Sequence, residues 1–222
     1  MGFGLFGKLP QKRDFVASGI PRAVLSPFET WLQSAVAASR AELGRDWESY
    51  YLVAPIWRFW IGHGVFGQPC AGALMSSVDK VGRFFPLAIL YCGEPGEAWQ
   101  PPVFDAREDW FEALEARLLS VLDEEAQIEV EAVTAGLPDA AGAAEPPAPP
   151  GTAFKTGVTW RGEAGSSPAA LVSSLVQADY WRAASTRSFW WTGGGASGMP
   201  MAHICPGLPD AWLFARMLRL ED

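Results

Sequence analysis

The chain has 222 residues, of which 49% are apolar and eleven are Trp, so a core can form and disorder of the whole chain is excluded. Its net charge of −8 argues against nucleic acid, because phosphate binding needs clustered Lys and Arg. That charge is local: residues 101–150 carry 12 acidic and 2 basic residues, whereas residues 1–100 and 151–222 are each +1.

Three widely spaced cysteines, Cys70, Cys92 and Cys205, fit a reducing compartment better than a disulfide framework. Gly2–Phe6 is too short for the apolar region of an export signal, and its basic residues follow rather than precede it. No uncharged apolar run approaches the length of a membrane span. A cytoplasmic protein without membrane insertion is therefore expected.

In chain order, residues 1–25 mix Gly, Pro, charge and aromatics, and read as a loop or short edge strand wrapping the body. Ser26-Pro27-Phe28-Glu29 has the form of a capping box with Pro at the first helical position. Phe28, Trp31, Leu32, Ala35, Val36 and Leu43 then recur at helical spacing before Gly44. A short helix is predicted over 46–51. In Ile56-Trp57-Arg58-Phe59-Trp60-Ile61 only Arg58 is polar, as in a central strand buried on both faces. Gly62–Pro69 reads as a turn. Strands are predicted over 71–75 and 85–92, flanking the polar stretch 76–83, with antiparallel pairing set by the short connections.

A second helix is predicted over 105–127, with Trp110, Leu114, Leu118 and Val121 as its apolar stripe, widened by Phe111 and Leu122. Its many carboxylates read first as a solvated face. Residues 128–133 suggest a strand or a frayed helix end. The Ala/Pro-rich stretch 134–150 reads as a mobile loop. Beyond it a strand is predicted over 154–160 and a helix over 168–178 with Ser167 as its cap. Strands over 188–192 and 201–205 flank a Gly-rich turn, and a helix over 209–220 follows. Residues 1–133 thus form an N-terminal region, 134–153 a loop, and 154–222 a C-terminal region completing the same domain. The fold class expected is α/β (α+β): a central, mainly antiparallel sheet with helices on both faces, a three-layer sandwich.

Three motifs imitate catalytic signatures. Gly2-Phe3-Gly4-Leu5-Phe6-Gly7-Lys8-Leu9 approaches a phosphate loop, but no strand precedes it and Leu9 stands where a Mg²⁺-binding hydroxyl is required. Ser77-Val78-Asp79-Lys80 with Lys155-Thr156-Gly157 imitates a penicillin-binding serine enzyme, but the chain contains no Asn for the S-D-N element. His203 and Cys205, two apart on a strand, share a face without metal-ligand spacing. No catalytic residue, metal or cofactor is expected from these.

The remaining polar candidates are charged pairs. Asp79 and Arg83, four apart between two strands, either present a charged contact to a partner or pair with each other and cap the loop. Arg58 in an apolar strand requires a carboxylate partner, with Asp79 or Asp14 as the candidates. Trp190 and Trp191 must face opposite sides of their strand, so both are buried only if helices cover both faces.

Several blocks carry a family likeness. They are Gly4-Leu5-Phe6-Gly7-Lys8-Leu9-Pro10 with Arg13-Asp14-Phe15, the helix containing Trp31-Leu32 and Ala38-Ser39-Arg40, and Ala54-Pro55-Ile56-Trp57-Arg58-Phe59. To these are added Gly72 to Leu87 through Ser76-Ser77-Val78-Asp79-Lys80-Val81-Gly82-Arg83, and Ser188-Phe189-Trp190-Trp191-Thr192 with Gly207-Leu208-Pro209. In these blocks the chain resembles the TagF family (ImpM), accessory proteins of bacterial type VI secretion, although Ser76 stands where the family commonly has Pro. The resemblance implies a non-enzymatic, posttranslational repressor of secretion that binds the forkhead-associated scaffold protein Fha. It carries over no catalytic residues, so Lys8, Asp14, Arg58, Asp79, Arg83, Trp190 and Trp191 stand as candidate interface or motif positions. The alternatives are a small-ligand module lined by aromatics, or an enzyme using the Gly7-Lys8 loop.

Overall fold

Strong β formers occupy the middle of the chain and amphipathic helices flank them, and the architecture follows from that order. The computed structural model describes residues 2–123, 129–139, 151–154, 157–195 and 198–219. The elements are β1 (Gly2–Lys8), β2 (Phe15–Ser18), α1 (Arg22–Leu43), α2 (Trp47–Val53), β3 (Trp57–Ile61), α3 (His63–Phe66), β4 (Cys70–Met75) and β5 (Leu87–Cys92). They continue with α4 (Glu108–Ser120), α5 (Val130–Thr134), β6 (Gly151–Phe154), β7 (Gly157–Trp160), α6 (Pro168–Ala184), β8 (Arg187–Thr192), β9 (Met201–Pro206) and α7 (Leu213–Arg219).

Seven strands form one open antiparallel sheet in the order β2-β1-β5-β4-β3-β8-β9. Strands β3, β4 and β5 lie in its middle and are buried along their whole length. Side-chain alternation divides the core in two. On one face Phe59, Ile61, Leu90 and Trp190 pack with Phe28 and Leu32 of α1, Tyr51 of α2 and Met217 of α7. On the other, Leu5, Ala73, Leu87 and Ile89 pack with Trp110, Leu114 and Leu118 of α4 and Val133 of α5. The fold is therefore the expected α+β sandwich with helices on both faces.

Several local expectations are corrected. The N-terminal segment is no wrapping loop: β1 lies inside the sheet between β2 and β5, and of its two strands only β2 is a short edge strand. Its register brings Gly7 against Leu87, and a Cβ at Gly7 would lie 1.9 Å from the Pro86 carbonyl oxygen, so the strand can close only on glycine. Helix α1 begins at Arg22, not at the Ser26 box, and Pro27 lies inside it. The added turn buries Val24 completely, and a proline so near the start deprives only one carbonyl, that of Ala23, of its donor. The turn over 62–69 contains α3.

Helix α4 is shorter than the 105–127 pattern; Leu122 lies beyond its end and is 47% exposed, while residues 124–128 fall outside the described residues. Of the two alternatives for 128–133 the helical one holds, as a separate turn over 130–134 held by Arg117, whose Nη1 donates to the carbonyls of Ala132, Val133 and Ala135 at 2.8–2.9 Å. The Ala/Pro stretch 140–150 lies outside the described residues. The strand expected over 154–160 is instead a separate two-stranded hairpin, β6–β7, because Gly157 restarts the chain antiparallel to 151–154. Helix α6 runs six residues beyond its expected end, and the Ser167 hydroxyl does cap it, accepting from the Ala170 N–H at 3.1 Å.

Candidate functional site

The family blocks meet at the end of β1 and the loop between β4 and β5. Strand β1 delivers Lys8 inward, where its side chain is 4% exposed. The 76–86 loop folds back through the Val78–Phe84 bridge and the Phe85 N–H to Ser77 carbonyl bond of 3.0 Å, which turns Asp79 inward. Lys8 Nζ donates to Asp79 Oδ2 at 2.6 Å, and Arg83 Nε donates to the same oxygen at 2.7 Å. Asp79 Oδ1 accepts the N–H groups of Val81 and Arg83 at 3.0 and 2.9 Å. The Ser77 hydroxyl donates to the Lys8 carbonyl at 2.7 Å, and the Tyr51 hydroxyl donates to the Ser77 carbonyl and accepts its N–H. Arg83 also reaches across to donate to the Arg13 carbonyl in the β1–β2 turn.

Burial pushes the Asp79 carboxyl up, but the Lys8 ammonium, the two N–H groups and the Arg83 guanidinium together hold it well below the usual carboxylate range. Because the folded-state value is depressed, the carboxylate contributes stability above its unfolded value of about 3.9 and loses it as pH falls from there through the lower folded value. The stability gap between the native chain and Asp79→Asn is therefore expected to shrink in that acid window. Urea unfolding of both between pH 7 and pH 2 checks this; a gap independent of pH would contradict it.

This cluster takes up the groups of the two catalytic look-alikes. Lys8 does not sit on a phosphate-binding loop: Gly2–Lys8 is a strand, and the ammonium is spent on Asp79. The Ser77 hydroxyl is likewise committed to the Lys8 carbonyl, while Lys155 and Thr156 lie outside the described residues. Of the two readings for Asp79 and Arg83, the pairing and loop-capping one is what the bonds express. Beside the cluster a groove of about 760 Å³ opens between Lys12, Leu52, Ser76, Lys80 and Leu122.

A second charged cluster lies on the sheet face that α4 covers. Arg58 projects from β3 and is paired with neither Asp79 nor Asp14. Its Nε and Nη2 donate to the two oxygens of Glu115 at 2.7 and 3.1 Å, and Nη1 donates to Glu108. Its guanidinium lies 5.7 Å from the centre of the Phe111 ring. Burial pushes the Arg58 guanidinium down, but the two carboxylates outweigh it and stabilise the charged form. The partners are on α4 because Glu108 and Glu115, two turns apart, share the face turned towards β3. Part of the acidic face is thus inward; Asp109 and Glu112 are exposed. That i, i+7 pair was the one sequence signal for Arg58's partner. Asp14 is exposed in the β1–β2 turn and joins neither cluster.

Trp190 and Trp191 face opposite sides, as strand geometry requires. Trp190 is fully buried between Trp31 and Phe59, with both ring centres at 4.9 Å. Trp191 packs edge-on to Phe111 at 4.7 Å and is half-buried, lining a cavity of about 360 Å³ with Val103, Ala202 and Ile204. His203 and Cys205 do share a face of β9, but His203 stacks on Trp57 and the Cys205 thiol meets the Ser188 hydroxyl at 3.3 Å. Not foreseen was the pairing of Cys70 with Cys92 directly across β4 and β5, their sulfurs 3.6 Å apart as free thiols. Among the described residues no group of three or more His, Cys, Asp and Glu side chains is placed to hold a metal ion. No helix among them is long and apolar enough to cross a membrane.

The segment that builds both clusters coincides with a known family. Residues 4–137 match the TagF N-terminal domain, described as type VI secretion system-associated. The chain belongs to the TagF family. The crystal structure of PA0076 from Pseudomonas aeruginosa PAO1 is similar over the full length: 33% identity, a TM-score of 0.79, and coverage of 100% of this chain and 96% of that one. No curated protein matches. The family match ends at residue 137, in the segment that leads away from α5, so α6, β8, β9 and α7 lie beyond it. Membership links this TagF-family chain to type VI secretion.

Proposed function

We propose that this protein is a non-enzymatic, posttranslational negative regulator of type VI secretion that acts in the cytoplasm by binding a forkhead-associated scaffold protein. One observation carries the reading: the polar residues of the family segment that most resemble catalytic groups, Lys8, Ser77, Asp79 and Arg83, are bonded to one another and to backbone. They brace a loop against a strand, and what the segment offers outward is surface. The exposed carboxylates of α4, Asp109 and Glu112, would steer a basic patch on the partner and make its on-rate salt-dependent.

Purified chain is expected to capture the forkhead-associated protein in a pull-down, and deletion of its gene to raise type VI secretion. Asp109→Lys with Glu112→Lys is expected to slow association several-fold at low salt and to leave the fold intact. Failure of capture together with unchanged secretion on deletion would overturn the reading.

A further inference from the structure

β9 is the last strand of the sheet, and no strand among the described residues pairs with its outer side. The Gly207 N–H donates to the Thr186 carbonyl at 2.8 Å, one step beyond the Arg187–Pro206 pair. That bond places Cys205, His203 and Met201 in the pairs bonded to β8. The Gly62 N–H to Arg187 carbonyl bond gives the same phase from the β3 side. The N–H and C=O groups of Ala202 and Ile204 consequently point away from the sheet. Pro200 and Pro206 flank them and contribute no N–H.

This pattern is self-complementary. When two β9 strands run antiparallel about a two-fold axis at His203, Ala202 of each faces Ile204 of the other. Both pairs are of the bonded type, giving four main-chain hydrogen bonds. Pro200 then faces Pro206 at each end, where the ladder stops because neither has a donor.

The side chains agree. Ala202 and Ile204 lie on the same face as Trp191, and Ile204 is 51% exposed. The apolar cavity of about 360 Å³ lies over Ala202, Trp191 and Val103. The Ile204 side chain of a second copy would arrive over Ala202 and enter it.

Charge favours the same occupant. Two chains of net charge −8 repel, so self-association favours a contact poor in charge; of the cavity lining only Glu108 is charged, and it is paired with Arg58. From Ser188 to Pro209 the sequence has no Asp, Glu, Lys or Arg. Edge strands are usually guarded by such charges. β2, at the other edge, has only four residues and follows Arg13 and Asp14.

We infer that two copies of this chain pair through β9 about a two-fold axis at His203, joining their sheets into one continuous antiparallel sheet.

Sedimentation of the full chain over a concentration series tests this, together with amide hydrogen exchange. A reversible dimer is expected, with exchange at Ala202 and Ile204 slowing as the dimer fills. Ile204→Pro removes an outward N–H that bonds to no described residue, and is expected to leave the circular dichroism unchanged and abolish the dimer. Ile204→Glu retains the N–H, sets a carboxylate against the apolar lining and against Glu108 beside it, and is expected to do the same. A chain that is monomeric at every concentration overturns the proposal. So does a dimer that survives both substitutions, or one in which those two amides stay fast. Protection of the amides only on adding an extended peptide would assign the edge to a different occupant and overturn it as well.

Discussion

Asp79→Ala is expected to lower the unfolding free energy by roughly 3–5 kcal/mol, because it strands a buried ammonium without its counter-ion. The Lys8 and Asp79 side chains are 4% and 0% exposed, so water cannot replace the lost partner without opening the loop. The same substitution frees the N–H groups of Val81 and Arg83, which hold the 76–86 turn closed. Arg83→Ala is expected to cost far less, about 1 kcal/mol or below, since that guanidinium is 57% exposed and its attraction is screened. Joint replacement, Lys8→Met with Asp79→Leu, removes both charges and is expected to be milder than Asp79→Ala alone. Chemical denaturation of the three variants checks the order. An Asp79→Ala effect no larger than that of Arg83→Ala would show that Lys8 is not held as a buried ion.

Trp190→Ala is expected to destabilise the chain by roughly 3–5 kcal/mol, whereas Trp191→Ala next to it costs about 1 kcal/mol. Trp190 is 0% exposed and fills the space between α1 and the sheet, where its indole N–H donates to the Ser188 hydroxyl at 2.9 Å. Truncation leaves a cavity between Trp31 and Phe59 that neither ring can close from its place on a packed helix or a central strand. Trp191 rests on Phe111 at the border of an open cavity, so its loss exposes little that was dry. Thermal unfolding of both variants measures the asymmetry. Equal effects would mean that the two faces of β8 are equally enclosed.

How much of this was legible beforehand varied with the range of the interaction involved. The apolar stripe Trp110, Leu114, Leu118 and Val121 reads directly from helical periodicity, and all four are buried. The continuous apolar run around Phe59 reads as a central strand, and β3 is one. The opposite faces of Trp190 and Trp191 follow from the two-residue period alone. The helix starts a turn before Ser26-Pro27, a good local signal that tertiary burial of Val24 overrides. Cys70 and Cys92 became neighbours only through strand register.

The charged residues show the division most clearly. Residue chemistry alone required that Arg58, set in an apolar strand, have an anionic partner, because a buried guanidinium without one is too costly. Which carboxylate answered was decided by α4 crossing β3, which brings Glu108 and Glu115 from 50 and 57 residues away. Lys8 and Asp79 are 71 residues apart and meet only because β1 enters the sheet beside β5, whose preceding loop carries the aspartate. Composition, periodicity and local blocks thus determined the kinds of element, the layered α+β class and the family likeness, since each depends on residues close in sequence. The position of β1, the partners of the buried ions and the open edge at β9 depend on which strands pair over long distances, and only the tertiary structure decided them.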